Sequence, residues 1–515
     1  MNEATKLNSV KHPAVTHSGL RLAAFGMMAG ALIIFFVWLS ADEMVRRTTI
    51  NYTLLPWIGA TAIVLLSPLI YLLWRKKLDI FHPLVHASLF YWFPSFVVGG
   101  IFIATNLIQP YQASLLTDPD SDFIWTYIYI MIGYGGMILG FYLPIGKWIG
   151  SFASRSLPAW DWQPNQVLLP ATAFFGIGLF FYFSAFFSGV VGFSLTNQAD
   201  VFAALNYTLS FLGLEAGFLV AMYIFKSRRL EFEHLFAFAL ILLLLASRMS
   251  LGANRSSILL IVTMLAMAYF YSGRRLTMKT GGVFAILFIF ALIAGMIYGT
   301  TFRNVKESEE RASLEEQFET VGRTLDLIST QDTGKVLNEG FSNLAERIDG
   351  VSSLAVVVSN YERLKPFESS FGLENNIFTD LWTSFIPRFL WANKPVIFDA
   401  RAYSDLYFNF SGNSYALTPV GDLLRNYGPV GVPIGMLMIG IFLRVAYCAL
   451  VENQKVTIGR ATAYYMFLVS LSYEGFYSTI FIYGIRVFAI AFISFVFVDL
   501  ILINKNDSVI VKKWK

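Results

Sequence analysis

The residues best suited to chemistry collect in one stretch, 381–431, LWTSFIPRFLWANKPVIFDARAYSDLYFNFSGNSYALTPVGDLLRNYGPVG. The chain on either side of it is strongly apolar. Here Arg388, Lys394, Arg401 and Arg425 stand among Asp380, Asp399, Asp405 and Asp422, with Trp382, Phe389, Trp391, Tyr403, Tyr407 and Phe410 interleaved. Pro387, Pro395, Pro419 and Pro429 break helix, because proline lacks an amide donor and restricts the residue before it. The pattern predicts an irregular, folded loop against the membrane. It would offer cations and stacking surfaces to an anionic headgroup that carries sugars. The plainer alternative is a positively charged linker lying on the bilayer.

Further arginines extend the same chemistry. Arg248 and Arg255 lie in SRMSLGANRSSILL, and Arg303 in TTFRNVKE. With Arg388 they could ring one cavity, and the planar guanidinium fork matches phosphate oxygens two at a time. Single arginines at helix ends also anchor helices at lipid phosphates. Glu474 in LSYEGFYST and Arg486 in IYGIRVF are ionisable groups at apolar spans, where such groups either pair with each other or mark a site. Glu215 is a lone carboxylate in an apolar run and is given no role. Asp118, Asp120 and Asp122 carry an Asp-x-Asp pattern that can hold a divalent cation, but a solvated turn is the favoured reading and no metal is expected. No phosphate-binding glycine loop or serine-hydrolase elbow occurs in the context it would need.

The elements that must position these groups follow from composition. Of 515 residues, 56% are hydrophobic, 17% aromatic and only 14% charged, with a mean hydropathy of +0.59. That much apolar surface in runs near twenty residues implies an all-α polytopic membrane protein. Cys448 is the single cysteine, which excludes an internal disulfide and a cysteine zinc site. A net charge of +4 scattered over short loops argues against a nucleic-acid surface.

About twelve spans are expected, at 21–40, 54–74, 84–107, 123–146, 167–193, 205–225, 233–251, 256–272, 282–300, 428–450, 461–480 and 483–503. The first lacks a small-residue cleavage site and reads as a retained helix. Basic residues mark alternate connections: Arg75-Lys76-Lys77, Lys147 with Arg155, Lys226 with Arg228-Arg229, Arg274-Arg275 with Lys279, and Lys455 with Arg460. Such residues bias short loops to the cytoplasm, so both termini face in. All five histidines, His12, His17, His82, His86 and His234, then fall on the cytoplasmic side.

Three regions result: a membrane bundle over 1–300, a large extracytoplasmic region over 301–427, and membrane helices with a tail over 428–515. The middle region begins helically, with Ser313 to Glu316 as a capping box and Leu314, Phe318, Val321, Leu325 and Ile328 on one face. A second helical stretch repeats at Phe341, Leu344, Ile348, Val351, Leu354, Val358 and Tyr361. Arg347 shares that apolar face and needs an anionic partner or a route to water.

GANRSSILL, SFIPRFLWANKP, LTPVGDLLRNYGPVG and YEGFYSTIFIYGIR together resemble the Wzy-type O-antigen polymerases, the oligosaccharide repeat unit polymerases. The resemblance runs from the seventh span onward; the N-terminal half matches only as hydrophobic helices. It implies a GT-C-like fold and a glycosyltransferase acting on undecaprenyl-diphosphate-linked glycans. The place would be the periplasmic face of the bacterial inner membrane, with membrane lipids, a flippase and a chain-length regulator as partners. It implies no sugar nucleotide, cofactor or metal. Related ligases carry an outer-face histidine, which this chain lacks. On this reading Arg248, Arg255, Arg303 and Arg388 hold the diphosphate, seconded by Arg347 and Lys394, with Arg401, Arg425, Glu474 and Arg486 as further substrate contacts. Asp380, Asp399, Asp405 or Asp422 takes the proton, and Trp391, Tyr403 and Tyr407 stack on sugars. A lipid flippase or transporter is the chief rival, and a ligase or an envelope scaffold are others.

The basic-loop pattern makes a direct prediction. Reporter fusions after Lys77 and Arg275 score cytoplasmic, and fusions at Asp120 and Glu368 score periplasmic. A cytoplasmic signal at Glu368 overturns the assignment of sides.

Overall fold

Inside a bilayer the backbone has only its own carbonyls to bond, so long apolar runs fold as helices. The computed structural model of the chain describes residues 51–513, apart from 52, 109–110, 189–201, 228–231, 253–255, 275–276, 306–313, 331–332, 387–389, 392–393, 396–398, 411–416 and 454. Every described element is helical, and nine helices among the described residues are long and apolar enough to cross a membrane. In chain order the helices are α1 (Leu55–Trp74), α2 (Pro83–Ala104), α3 (Pro119–Tyr142), α4 (Pro144–Ser156), α5 (Pro164–Phe187), α6 (Leu212–Lys226, after a short Ala203–Leu209), α7 (Phe232–Gly252), α8 (Ser256–Tyr271) and α9 (Met278–Val305). Then come α10 (Leu314–Thr330), α11 (Thr333–Ile348), α12 (Gly350–Leu364), α13 (Asn376–Thr383), α14 (Ala400–Phe408), α15 (Pro419–Tyr447), α16 (Ile458–Ser470) and α17 (Tyr477–Lys513).

Several boundaries differ from the expected ones. The span expected at 21–40 lies outside the described residues. The span expected at 461–480 is not continuous: α16 ends at Ser470, residues 471–476 leave the helix, and α17 starts at Tyr477. The helix expected from Phe341 to Tyr361 is two. Asp349 interrupts it and caps α12, its carboxylate accepting from the Ser352 amide at 2.9 Å. The connection carrying Lys147 and Arg155 is the helix α4. The span expected from 428 begins at Pro419, where Thr418 accepts from the Gly421 amide. The proline expected to break it, Pro429, instead follows a kink at Gly428, whose φ of +67° suits only glycine comfortably. Asp422 and Arg425 therefore sit on a helix, not in an irregular loop.

The centre of the bundle is α3 against α15. Gly136 meets Pro433, Gly140 meets Leu437 and Gly440 meets Met137, each at backbone atoms, so both helices approach through their glycines. Contact numbers rise together along the two helices, from Gly133 with Val432 to Gly150 with Cys448 through α4. The two helices are parallel. One end of the molecule thus gathers Asp118, Thr418 and the helices α12 to α14; Thr117 bonds Ser359, and Leu115 bonds Asn360 there.

The other end gathers the basic loops. Asp79 accepts from Tyr271 at 2.9 Å, Tyr447 at 3.1 Å and the Phe81 amide at 2.9 Å. Arg460, read from sequence as a loop cation, is fully buried here. Its guanidinium donates to the carbonyls of Ser154, Leu157, Pro158 and Ala449. It closes the C-terminal end of α4, where a cation also complements the helix dipole.

A methyl group at Gly140 or Gly440 would overlap a backbone oxygen of the facing helix. Gly140→Val and Gly440→Val therefore destabilise the purified protein by about 1–3 kcal/mol or more, read as a lower unfolding temperature. Gly135→Val, which meets open space, leaves that temperature within a degree or two of the parent.

Candidate functional site

The stretch 381–431 does not form one open basic surface. Its strongest charges turn inward. Arg425, wholly buried, is 2.8 Å from Asp422 Oδ1 and 3.1 Å from Glu368 Oε1. It also donates to the carbonyl of Leu373 and the side chain of Asn376. Tyr407 donates to the same Glu368 oxygen at 2.9 Å, Asn426 bonds Asn376 and Asp422, and the Tyr477 amide donates to Asp422 Oδ2 at 2.8 Å. Asp380 is buried beside them, accepting from Asn376 and Ser478. Tyr403 and Tyr407 stack on each other, centroids 5.1 Å apart, and both are buried. Their faces are spent on one another rather than offered to sugars.

The remaining candidates of this stretch divide. Asp399 caps α14, accepting from the amides of Arg401 and Ala402. Asp405 and Phe410 are exposed, and Arg401 is half-buried. Lys394 is buried and donates to the Ile386 carbonyl at 3.0 Å. Trp391 packs against Trp382 with centroids 5.7 Å apart. Arg388 and Arg255 lie outside the described residues. Arg303 belongs to α9 by its backbone, and its side chain lies outside the description. The aspartates at 118–122 form the first turn of α3, where Asp122 accepts from the Asp118 amide at 3.1 Å and carboxylates favour the helix N-terminus. Among the described residues no group of three or more His, Cys, Asp or Glu is placed to hold a metal ion.

Two residues expected elsewhere come together. Of the two readings left open for Glu474 and Arg486, the mutual pair does not form: Arg486 donates to the Ser384 carbonyl. Glu474, in the break between α16 and α17, instead shares a small solvent-open cleft with Arg347 from the last turn of α11. The walls are Tyr91, Trp92 and Phe96 of α2 together with Tyr473 and Thr418. Over Ser88–Val98 the helix α2 widens to π geometry around Pro94, which brings Tyr91, Trp92, Ser95 and Phe96 to the cleft side. Glu474 keeps exposed surface, yet surrounding protein raises its pKa, while the Arg347 guanidinium draws it back down. The Trp92 Nε1 and Tyr473 hydroxyl are buried with no hydrogen-bond partner among the described residues.

Sequence reasoning found Arg347 and Glu474 singly but not their meeting in one cleft, since they lie far apart in the chain. It missed Asp349, one residue before the Gly350 that lines the cleft; burial pushes that carboxyl up to about 6. The aromatic run FYWFP in α2 was the available signal for the wall. Comparison with protein families, characterised proteins and solved structures found no match.

The buried cation yields the next prediction. Arg425→Gln leaves two carboxylates facing each other out of water and destabilises the protein by about 3–5 kcal/mol. Glu368→Gln costs a similar amount, and exposed Asp405→Asn stays within about 0.5 kcal/mol. Denaturant or thermal unfolding in detergent measures all three.

Proposed function

We propose that this chain is a membrane glycosyltransferase joining undecaprenyl-diphosphate-linked oligosaccharide repeat units at the periplasmic face of a bacterial inner membrane. The observation that carries the reading is a guanidinium and a carboxylate facing one another in a solvent-open cleft walled by aromatic rings. Arginine suits diphosphate, the carboxylate suits a sugar hydroxyl proton, and ring faces suit pyranose C–H surfaces. Two of the motifs that resemble the polymerases contribute to this cleft, Thr418 from LTPVGDLLRNYGPVG and Glu474 from YEGFYSTIFIYGIR.

In this reading a hydroxyl oxygen of the acceptor's terminal sugar attacks the anomeric carbon of the donor. A carbon–oxygen bond forms there, and the bond from that carbon to the diphosphate breaks. Glu474 takes the hydroxyl proton, and its raised pKa makes it a better base than an ordinary glutamate while it is ionised. Arg347 donates to the diphosphate oxygens as negative charge develops on them, which is where a fixed cation contributes most.

Glu474→Gln abolishes polymer while protein still accumulates in the membrane. Activity of the parent falls on the acid side at a pH above the ordinary glutamate value of about 4.3, because protonated Glu474 cannot accept the proton. Arg347→Gln removes the cation that lowers that pKa, so the residual activity loses its acid limb at still higher pH. An acid limb that does not move sets Glu474 aside as the base. Deleting the gene leaves surface glycolipid capped with a single repeat; loss of even that species, with a ligase present, favours a flippase instead.

A further inference from the structure

At the end of the molecule that gathers α12 to α14, the short helix α13 does not stay at the surface. Depth can be read from α15, whose exposed side chains Val430, Ile434 and Met438 recur at helical spacing, as on a face shown to lipid. The Tyr477 hydroxyl donates to the Gly435 carbonyl at 3.0 Å, so α17 begins level with that stripe. At 1.5 Å per residue this level is about 10 Å past the kink at Gly428. α13 is bonded to α17 from there inward. Ser478, in the first turn of α17, donates to the Asp380 carboxylate at 3.4 Å. Arg486, about 13 Å along α17 from Tyr477, donates to the Ser384 carbonyl. Asn376, the first residue of α13, is held at the same depth by Arg425 and Asn426, and Leu423 beside them packs against Gly435. The helix runs into the membrane beside α17.

Its two faces differ accordingly. Asn376, Ile377, Asp380 and Thr383 are buried, whereas Phe378, Trp382 and Phe385 are exposed, Phe378 by 68%. The exposed three are spaced i, i+4, i+7 and share one side of the helix line. The backbone past the helix end is met by cations. Arg486 donates to the Ser384 carbonyl, and buried Lys394 to the Ile386 carbonyl at 3.0 Å. Carbonyls at a helix end within hydrocarbon have no water to bond and need such donors. We infer that α13 is a re-entrant helix sunk into the leaflet at this end of the bundle, and that acyl chains of the bilayer cover its Phe378, Trp382 and Phe385 face. Above the membrane these three large side chains would stand in water as one apolar patch; at the depth of the α15 stripe they continue a surface that lipid already covers. Part of 301–427 then lies within the bilayer, with Arg486 and Lys394 spent on its backbone. The inference stands whether or not the chain polymerises glycans.

The test uses the full-length protein carrying Cys448→Ala, reconstituted in vesicles of phosphatidylcholine and phosphatidylglycerol. Phe378→Cys, Trp382→Cys and Phe385→Cys are spin-labelled one at a time. Ile493→Cys, on the exposed face of α17, is the lipid reference, and Asp120→Cys, exposed in the first turn of α3, is the water reference. Electron paramagnetic resonance power saturation compares relaxation by oxygen, which concentrates in hydrocarbon, with relaxation by a nickel chelate, which stays in water. The expected result is relaxation several-fold stronger by oxygen than by nickel at all three α13 positions, as at Ile493, with the order reversed at Asp120. The replaced side chains are exposed, so the buried face of α13 is untouched, and if one variant fails to fold the other two carry the test. Nickel relaxation at the level of Asp120 overturns the inference and leaves α13 above the membrane. Labels that neither reagent reaches also overturn it, because protein and not lipid then covers the face.

Discussion

A buried guanidinium is tolerable only when nearly all its donors are met, and the geometry around Arg425 is built to that demand. Glu368 approaches from the segment after α12, Asp422 from one turn earlier on α15, and Asn376 from the start of α13. Glu368 and Asn376 come from outside α15, so the cation is fully satisfied only when those parts are already in place. The outer helices are thereby tied to the top of α15 by directional bonds. Apolar contacts alone would let them slide.

The rest of the architecture supplies a rigid base for that tie. Glycines let α3 and α15 touch backbone to backbone, and the parallel pair carries α12 on its upper end. At the opposite end Asp79 joins the α1–α2 loop to Tyr271 and Tyr447, and Arg460 closes the end of α4. Polar groups thus lock both ends of a bundle whose middle is held by close packing. The cleft opens where regular packing fails, at the π-widened turn of α2 and the break before α17.

Charge in this protein serves two purposes. Fully buried, mutually paired groups, such as Arg425 with Glu368 and Asp422, hold structure. Groups such as Arg347 and Glu474 instead keep access to the cleft. Both kinds lie close together in the sequence and use the same residue types.

Apolar run length determined the helical, membrane-embedded character by itself, because a backbone in hydrocarbon has no other way to satisfy its amides. Helix identity and approximate position followed for most spans, and Arg347's need for a partner was also readable from its place on an apolar face. Composition and spacing could not tell which arginines would be spent inward. That depends on which carboxylate ends up within about 3 Å, for Glu368 and Arg425 across roughly 200 Å of extended chain, and such distances exist only after folding. Glu474 was near Arg486 in sequence and met Arg347 instead, because the helix broke at Ser470 and turned the carboxylate to another face. The tertiary structure alone separated Arg248 from the cleft, since the packing of α5 against α6 encloses it in a cavity of its own.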